Sequence, residues 1–176
     1  METLQDNELI DLALAGDTRA FNALADRHYL TVYRYAFRWV AAREDAEDVA
    51  QEVFIKLANS LQSFNRRAAF TTWLYRVTAN CAKDFLRKNK RWHHNRVAEP
   101  LDEELASLNP GPESRSMHSQ IVAAILKLPE KLQEATLLVF GEELSHGEAA
   151  RILGCAESTV SWRIFQAKRK LRKVLS

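Results

Sequence analysis

Helical periodicity is the feature that most constrains how this chain folds. Apolar residues recur at intervals of three and four over residues 21–39, 46–61 and 70–86. This spacing places side chains on one face of an α-helix, and no segment shows a convincing strand-type alternation. Five Gly and four Pro in 176 residues are too few for a turn-rich β fold. The sequence therefore predicts an all-α protein.

The helical pattern breaks once, over residues 98–116. This stretch holds Pro100, Pro110, Gly111 and Pro112 among acidic and small polar residues, a composition typical of a linker. It predicts two small helical domains, residues 1–97 and 117–176, joined by a flexible segment. The twenty residues 96–115 span at most roughly 65 Å when extended. That length reaches along about two turns of a DNA duplex, each roughly 34–36 Å.

The second domain ends in a predicted helix-turn-helix. Ser145 to Glu148 form a capping-box signature, Gly154 supplies a short turn, and a last helix runs to about Val174. Short polar side chains near the start of that helix suit base edges, and the cations of its second half suit phosphates. The alternative is a pair of packed helices with a solvated basic tail.

Charge is distributed in blocks, although the net charge is only +2. Residues 1–60 carry a net −5, residues 61–98 a net +8, residues 99–115 a net −4 and residues 116–176 a net +3. Two basic blocks separated by an acidic stretch indicate two contacts with a polyanion. The acidic first block indicates a different partner.

A carboxylate cluster lies on one predicted helix. Asp45, Asp48 and Glu52 fall on the face opposite the apolar stripe, beside Gln51. Such a cluster is a docking surface for a basic partner, a plain solvated face or a metal site. A di-metal bundle would also need Glu-x-x-His motifs, which this sequence lacks. We therefore expect no metal.

A basic stripe follows on the next helix, at residues Arg76, Asn80, Lys83, Arg87 and Lys90. Aromatic residues are interleaved with it. Cations beside exposed rings make a surface for single-stranded nucleic acid, because every base can stack on a ring. The alternative places Phe70 and Trp73 in the core and leaves the cations solvated.

Several function classes are excluded by what the sequence lacks. It contains no phosphate-cradling glycine loop and no nucleophile elbow, so we expect neither an enzyme nor a cofactor. No apolar run is long enough to span a membrane, and the N-terminus does not resemble a signal peptide. The two cysteines cannot build a disulfide scaffold, so a reducing, cytoplasmic location is expected.

Three segments together resemble the extracytoplasmic-function sigma factors, the compact two-domain group of the bacterial sigma-70 family. They are DAEDVAQEVF at 45–54, FTTWLYRVTAN at 70–80, and LPEK at 128–131 ahead of the helix-turn-helix. They occur in the family's order, and the likeness covers residues from about 8 to 174. The loop at residues 65–68 departs from the family in lacking a glycine.

The resemblance implies a non-enzymatic factor that directs core RNA polymerase to promoters and aids melting of the −10 element, usually under an anti-sigma factor. The implied core-polymerase contacts are Asp45, Asp48, Gln51 and Glu52. The implied −10 contacts are Phe64, Arg66, Arg67, Trp73, Arg76, Asn80, Lys83, Arg87, Lys90 and Arg91. The implied −35 contacts are Ser158, Thr159, Ser161, Trp162, Arg163, Gln166, Arg169 and Lys173.

Two other functions stay open at this point. A sigma-like protein that only sequesters an anti-sigma factor would need the shape but not the DNA surfaces, and both basic blocks are present. A helix-turn-helix repressor with a ligand-binding N-terminal domain would explain neither the acidic face nor the second basic block. Run-off transcription with core polymerase separates the three.

Overall fold

The computed structural model describes residues 3–89 and 120–175, and within them every regular element is helical. The N-terminal part contains α1 (Asp6–Leu14), α2 (Thr18–Val40), α3 (Arg43–Ser60), a 3-10 turn (Leu61–Ser63) and α4 (Phe70–Lys88). The C-terminal part begins with helical residues 120–126. It continues with α5 (Glu130–Thr136), a π-helical turn (Leu137–Gly141), α6 (His146–Leu153) and α7 (Glu157–Leu175). The predicted all-α fold is confirmed, and the predicted linker lies outside the described residues.

Local signals explain where these helices begin and end. Asp17 caps α2 by accepting a hydrogen bond from the backbone of Arg19 at 2.9 Å. The capping box predicted at Ser145 is present, since Ser145 and Glu148 bond each other's backbone N–H. α6 then ends at Gly154, whose φ of +63° is the left-handed conformation that glycine adopts without strain.

The predicted apolar stripes form the core. Leu24, Val32 and Trp39 of α2 are buried, as are Val49 and Val53 of α3. One continuous buried cluster extends from these helices into the C-terminal part, where it includes Leu138, Val160 and Ile164. The two parts therefore pack on each other, with α4 against α6 and α2 against the π-helical turn. The sequence pattern did not predict this packing.

Candidate functional site

The acidic face predicted on α3 is exposed. Asp48, Gln51 and Glu52 point to solvent, and Asp45 is half-buried at the start of the helix. The opposite side of α3 is buried at Ala46, Val49, Ala50, Val53 and Leu57. The helix is therefore anchored by its apolar side and presents its carboxylates outward.

An exposed apolar residue lies within this acidic face. Ile55 follows Glu52 by three residues and Asp48 by seven, so it lies on the same side of α3, and it is 57% exposed. Sequence reasoning missed Ile55 because a single apolar residue among polar ones carries little signal. The signal that could have marked Ile55 as an exposed apolar residue is its position outside the buried stripe of α3.

The aromatic residues around the loop at 64–69 form a packed cluster. The ring centroid of Phe64 lies 5.6 Å from that of Phe70 and 5.4 Å from that of Trp73. Phe64 and Phe70 are buried and Trp73 is half-buried. The ring of Phe64 is therefore packed against neighbouring rings rather than open to solvent, and its predicted −10 contact stays a prediction.

The two arginines of the loop are exposed but not equivalent. Arg66 adopts a left-handed φ of 59°, and its guanidinium pairs with Asp11 of α1. This hydrogen bond holds the pKa of Asp11 below its usual value. The backbone N–H of Arg67 donates to Asn65 at 3.1 Å.

An open cavity of about 460 Å³ lies between the loop and α1, and Arg27 and Arg66 are among its lining residues.

The basic stripe of α4 divides into two groups. Asn80 and Arg87 are exposed, and Arg87 pairs at 3.0 Å with Asp84 of its own helix. Arg76 is also exposed, but its guanidinium contacts the C-terminal part of the chain, and so does the largely buried Lys83, which the expectation of a uniformly DNA-facing stripe did not include. Lys90 and Arg91 lie outside the described residues.

The outer face of α7 is polar at its start and basic at its end. Exposed residues there include Ser158, Trp162, Phe165, Arg169 and Lys173, opposite the buried residues Val160, Ile164 and Ala167. Thr159, Arg163 and Gln166 are half-buried. Phe165 is 61% exposed and was missed by the sequence analysis, which did not assign it to either face of this helix.

Ser161 does not have a free hydroxyl. Its Oγ donates to the carbonyl of Glu157 at 3.1 Å and lies 2.8 Å from Nδ1 of His146 in α6. Ser161 is nevertheless exposed, so its predicted contact with a base edge at the −35 element stays a prediction.

Three further features concern possible metal ligands, the cysteines and membrane spans. Residues 3–89 and 120–175 hold no cluster of His, Cys, Asp or Glu suited to a metal ion. Cys81 is buried, as expected from its apolar stripe, and burial raises the pKa of its thiol. Within the same residues, no helix is long and apolar enough to cross a membrane.

Comparison with known proteins identifies the two parts of the chain. Residues 24–92 match the family model of sigma-70 region 2, and residues 118–171 match that of sigma-70 region 4. The chain is similar to the ECF RNA polymerase sigma-E factor of Haemophilus influenzae, with 35% identity covering 95% of this chain and 93% of that protein. It is also similar to the ECF RNA polymerase sigma factor SigW of Bacillus subtilis, with 34% identity covering 91% of each.

A solved structure agrees with these relatives. CnrH, determined in complex with the cytosolic domain of CnrY, matches with a TM-score of 0.71 and 26% identity, covering 97% of this chain and 96% of CnrH. The two matched regions cover most of the described part of the molecule, and the match to CnrH covers 97% of the chain. The chain belongs to the extracytoplasmic-function (ECF) group of RNA polymerase sigma factors, non-enzymatic proteins of transcription initiation.

Proposed function

We propose that this ECF sigma factor uses three separate surfaces: α3 for core polymerase, the loop at 64–69 with α4 for the −10 element, and α7 for the −35 element. The observation that carries this assignment is the separation of charge. Exposed carboxylates are concentrated on α3, whereas exposed cations are concentrated on α4 and the second half of α7. A DNA-binding surface and an acidic docking surface on different helices do not compete with each other.

The polymerase surface consists of Asp48, Gln51 and Glu52, with Asp45 at its edge and Ile55 within it. Carboxylates around an exposed apolar residue suit a basic partner helix, because the apolar contact supplies affinity and the charges fix the register. The buried opposite face makes α3 a rigid support for this contact.

The −10 surface consists of the loop at 64–69 and the exposed side of α4. Arg66 and Arg67 provide cations in the loop, and Asn80 and Arg87 provide an amide and a cation further along α4. The cavity of about 460 Å³ beside the loop has room for a nucleobase. Flipping a base costs a few kcal/mol, which cationic and stacking contacts offset. Phe64 and Trp73 support the loop from beneath through their ring contacts.

The −35 surface is the outer face of α7. In the proposed complex this face enters the major groove of the −35 element. Ser158, Trp162 and Gln166 lie in its first half, where a recognition helix contacts base edges. Arg169 and Lys173 lie further along and suit phosphates, which position the helix without reading sequence. Thr159 and Arg163 complete this surface, and Ser161 orients α7 through its bond to His146.

Membership of the family supports a proposal for regulation and for location. CnrH was solved with the cytosolic domain of CnrY, and we propose that a protein inhibitor, an anti-sigma factor, likewise binds this chain. Since sigma factors act together with RNA polymerase, the site of action is the cytoplasm.

We assign residues 1–97 to the first domain, 98–116 to the linker and 117–176 to the second domain.

Run-off transcription with purified core polymerase tests the proposed function. Wild-type protein should yield transcripts that start at a defined position on a promoter-containing genomic fragment, such as the DNA upstream of its own gene. The template without that upstream DNA is the control. A chain that binds core polymerase but never yields promoter-dependent transcripts on any genomic fragment would contradict the proposal.

A further inference from the structure

The outermost line of α7 is aromatic over the first half of the helix. Successive residues of an α-helix are rotated by about 100°, so one stripe, with its members within about 60° of one another, contains Ser158, Trp162, Phe165 and Arg169. Trp162 is 59% exposed and Phe165 is 61% exposed, and the buried residues of the helix lie on the opposite side. Two large rings, neighbours at a spacing of three residues, therefore lie where α7 projects furthest from the domain.

The polar residues of this half of α7 lie beside the aromatic stripe or are engaged within the domain. Arg163 and Gln166 are half-buried at its flanks. The Ser161 hydroxyl is bonded within the domain, and Nζ of Lys168 lies 5.2 Å from the centroid of the Phe140 ring. The first half of α7 therefore presents rings, rather than guanidinium groups, along its most exposed line.

These side chains limit which base pair the helix can recognise in the major groove. Guanine is recognised there mainly by Arg or Lys, which donate hydrogen bonds to O6 and N7. The apolar group on the floor of the groove is the C5-methyl of thymine, which apolar side chains contact. The amide of Gln166, beside the rings, is of the type that pairs with N6 and N7 of adenine. Rings and amide together favour A·T base pairs.

Charge favours DNA, rather than a protein, as the occupant of the aromatic stripe. The stripe continues directly into Arg169, and Lys173 lies one turn further on the same side, both exposed. A partner that covers the whole outer face meets rings in the first half and cations in the second. This order suits a duplex, in which base edges lie within the groove and phosphates lie along its rim.

We propose that Trp162, supported by Phe165, recognises the C5-methyl group of thymine, so that the −35 element of this factor contains an A·T pair recognised through that methyl group. This inference rests on the proposed −35 role of α7 and adds the chemical group that the helix contacts. Removal of the methyl group should weaken binding roughly threefold to fivefold, because that is the effect of one methyl group taken out of water.

Replacement of thymine by deoxyuridine tests the proposal, because the two bases pair identically and differ only in the methyl group. The template is a genomic fragment on which the wild-type protein and core polymerase give a defined run-off transcript. Duplexes are prepared in which one thymine of the −35 region at a time is replaced by deoxyuridine. Competition against the unmodified, fluorescein-labelled duplex, followed by anisotropy, gives the affinity of the complex of this chain with core polymerase. Wild type should lose affinity at one or two of these positions.

Trp162→Ala identifies the side chain that contacts the methyl group. This variant should bind the unmodified duplex more weakly than wild type and should lose nothing further at the deoxyuridine position to which wild type responds. Phe140→Ala is the matched control, because Phe140 is an aromatic residue of the same part of the chain, 52% exposed, that lies outside the stripe. It should respond to deoxyuridine as wild type does. Circular dichroism confirms that each variant retains its helices, and Trp162→Gln replaces an alanine variant that does not fold.

The modified bases and the variants together separate the possible outcomes. Equal affinity of wild type for every deoxyuridine duplex would overturn the proposal, and so would an undiminished deoxyuridine response in Trp162→Ala. Loss of core polymerase from a pull-down with Trp162→Ala would assign the rings to a protein contact and overturn it as well. Failure of the proposed function is a different result, since the wild-type protein would then give no promoter-dependent transcript from any unmodified fragment, and the inference would fall with it.

Discussion

Nδ1 of His146 lies 2.8 Å from Oγ of Ser161, so the two helices of the helix-turn-helix are joined by a side-chain hydrogen bond. The Ser161 hydroxyl has a single proton, which it donates to the Glu157 carbonyl. The same hydroxyl therefore contacts both the first turn of α7 and the first residue of α6. A residue that the sequence places among the base readers therefore also joins α6 to α7.

Ser161→Ala should lower the stability of the C-terminal domain rather than alter promoter choice. Loss of the hydroxyl leaves His146 without this partner, which costs about 1 kcal/mol. Thermal unfolding should show the loss, while base preference at the −35 element stays as in wild type. Ser158→Ala is the control, because Ser158 lies exposed on the outer face of α7 and should leave unfolding unchanged. A changed −35 preference in Ser161→Ala would return Ser161 to the base-reading set.

Asp48→Arg combined with Glu52→Arg should abolish binding to core polymerase. Both side chains are exposed, so the fold should be retained, whereas reversed charges against a basic partner cost at least about 3 kcal/mol at a partly desolvated contact. Asp26→Arg with Glu143→Arg changes the net charge equally on other exposed sites. Pull-down of core polymerase should fail for the first pair and succeed for the second. Equal recovery by both pairs would exclude α3 as the docking helix.

Ile55→Asn should weaken the same interaction without affecting the fold. Ile55 is 57% exposed, so its replacement leaves the core intact and removes apolar area only from the proposed contact. A central apolar contact contributes about 1–2 kcal/mol, or roughly tenfold in affinity or more. Titration of labelled core polymerase gives the dissociation constant, and an unchanged constant would limit the surface to its polar residues.

The capping box of α6 should make stability depend on pH. Hydrogen bonds from the Ser145 side chain and then its backbone hold the pKa of Glu148 below its usual value of 4.5. A lowered pKa in the folded state means that the carboxylate stabilises the fold above about pH 4.5 and loses this effect as the pH falls through the folded-state pKa. The melting temperature of wild type should therefore exceed that of Glu148→Gln at pH 7, and the gap should narrow below pH 4.5. A gap that stays constant down to pH 3 would show that the charge of Glu148 does not stabilise the cap.

Much of the fold could be predicted from sequence because its signals are local. The stripe of α2, the capping box at Ser145 and the turn at Gly154 each depend on residues within one or two helical turns, and all three are confirmed. The family resemblance is also confirmed, since it rests on motifs along nearly the whole chain.

What the sequence could not predict depends on contacts between distant residues. The bond from Arg38 to Glu142 joins residues 104 positions apart, and no periodicity encodes such a pairing. Lys83 has the spacing of a DNA-facing stripe but pairs with Glu134, because a helical pattern defines a face and not the neighbour that covers it. Ile55 and Phe165 were missed for a related reason, since hydrophobicity alone does not distinguish a core residue from an exposed contact.

The most direct test of the three-surface account is permanganate footprinting of open complexes on duplex DNA and on a template whose −10 region is already melted. Asn80→Ala with Arg87→Ala should lose reactive thymines on the duplex and regain them on the melted template, because only strand opening is impaired. Gln166→Ala should remain defective on both, since its contact at the −35 element is still missing. Equal recovery of the two variants on the melted template would contradict the assignment of strand opening to α4 and −35 reading to α7.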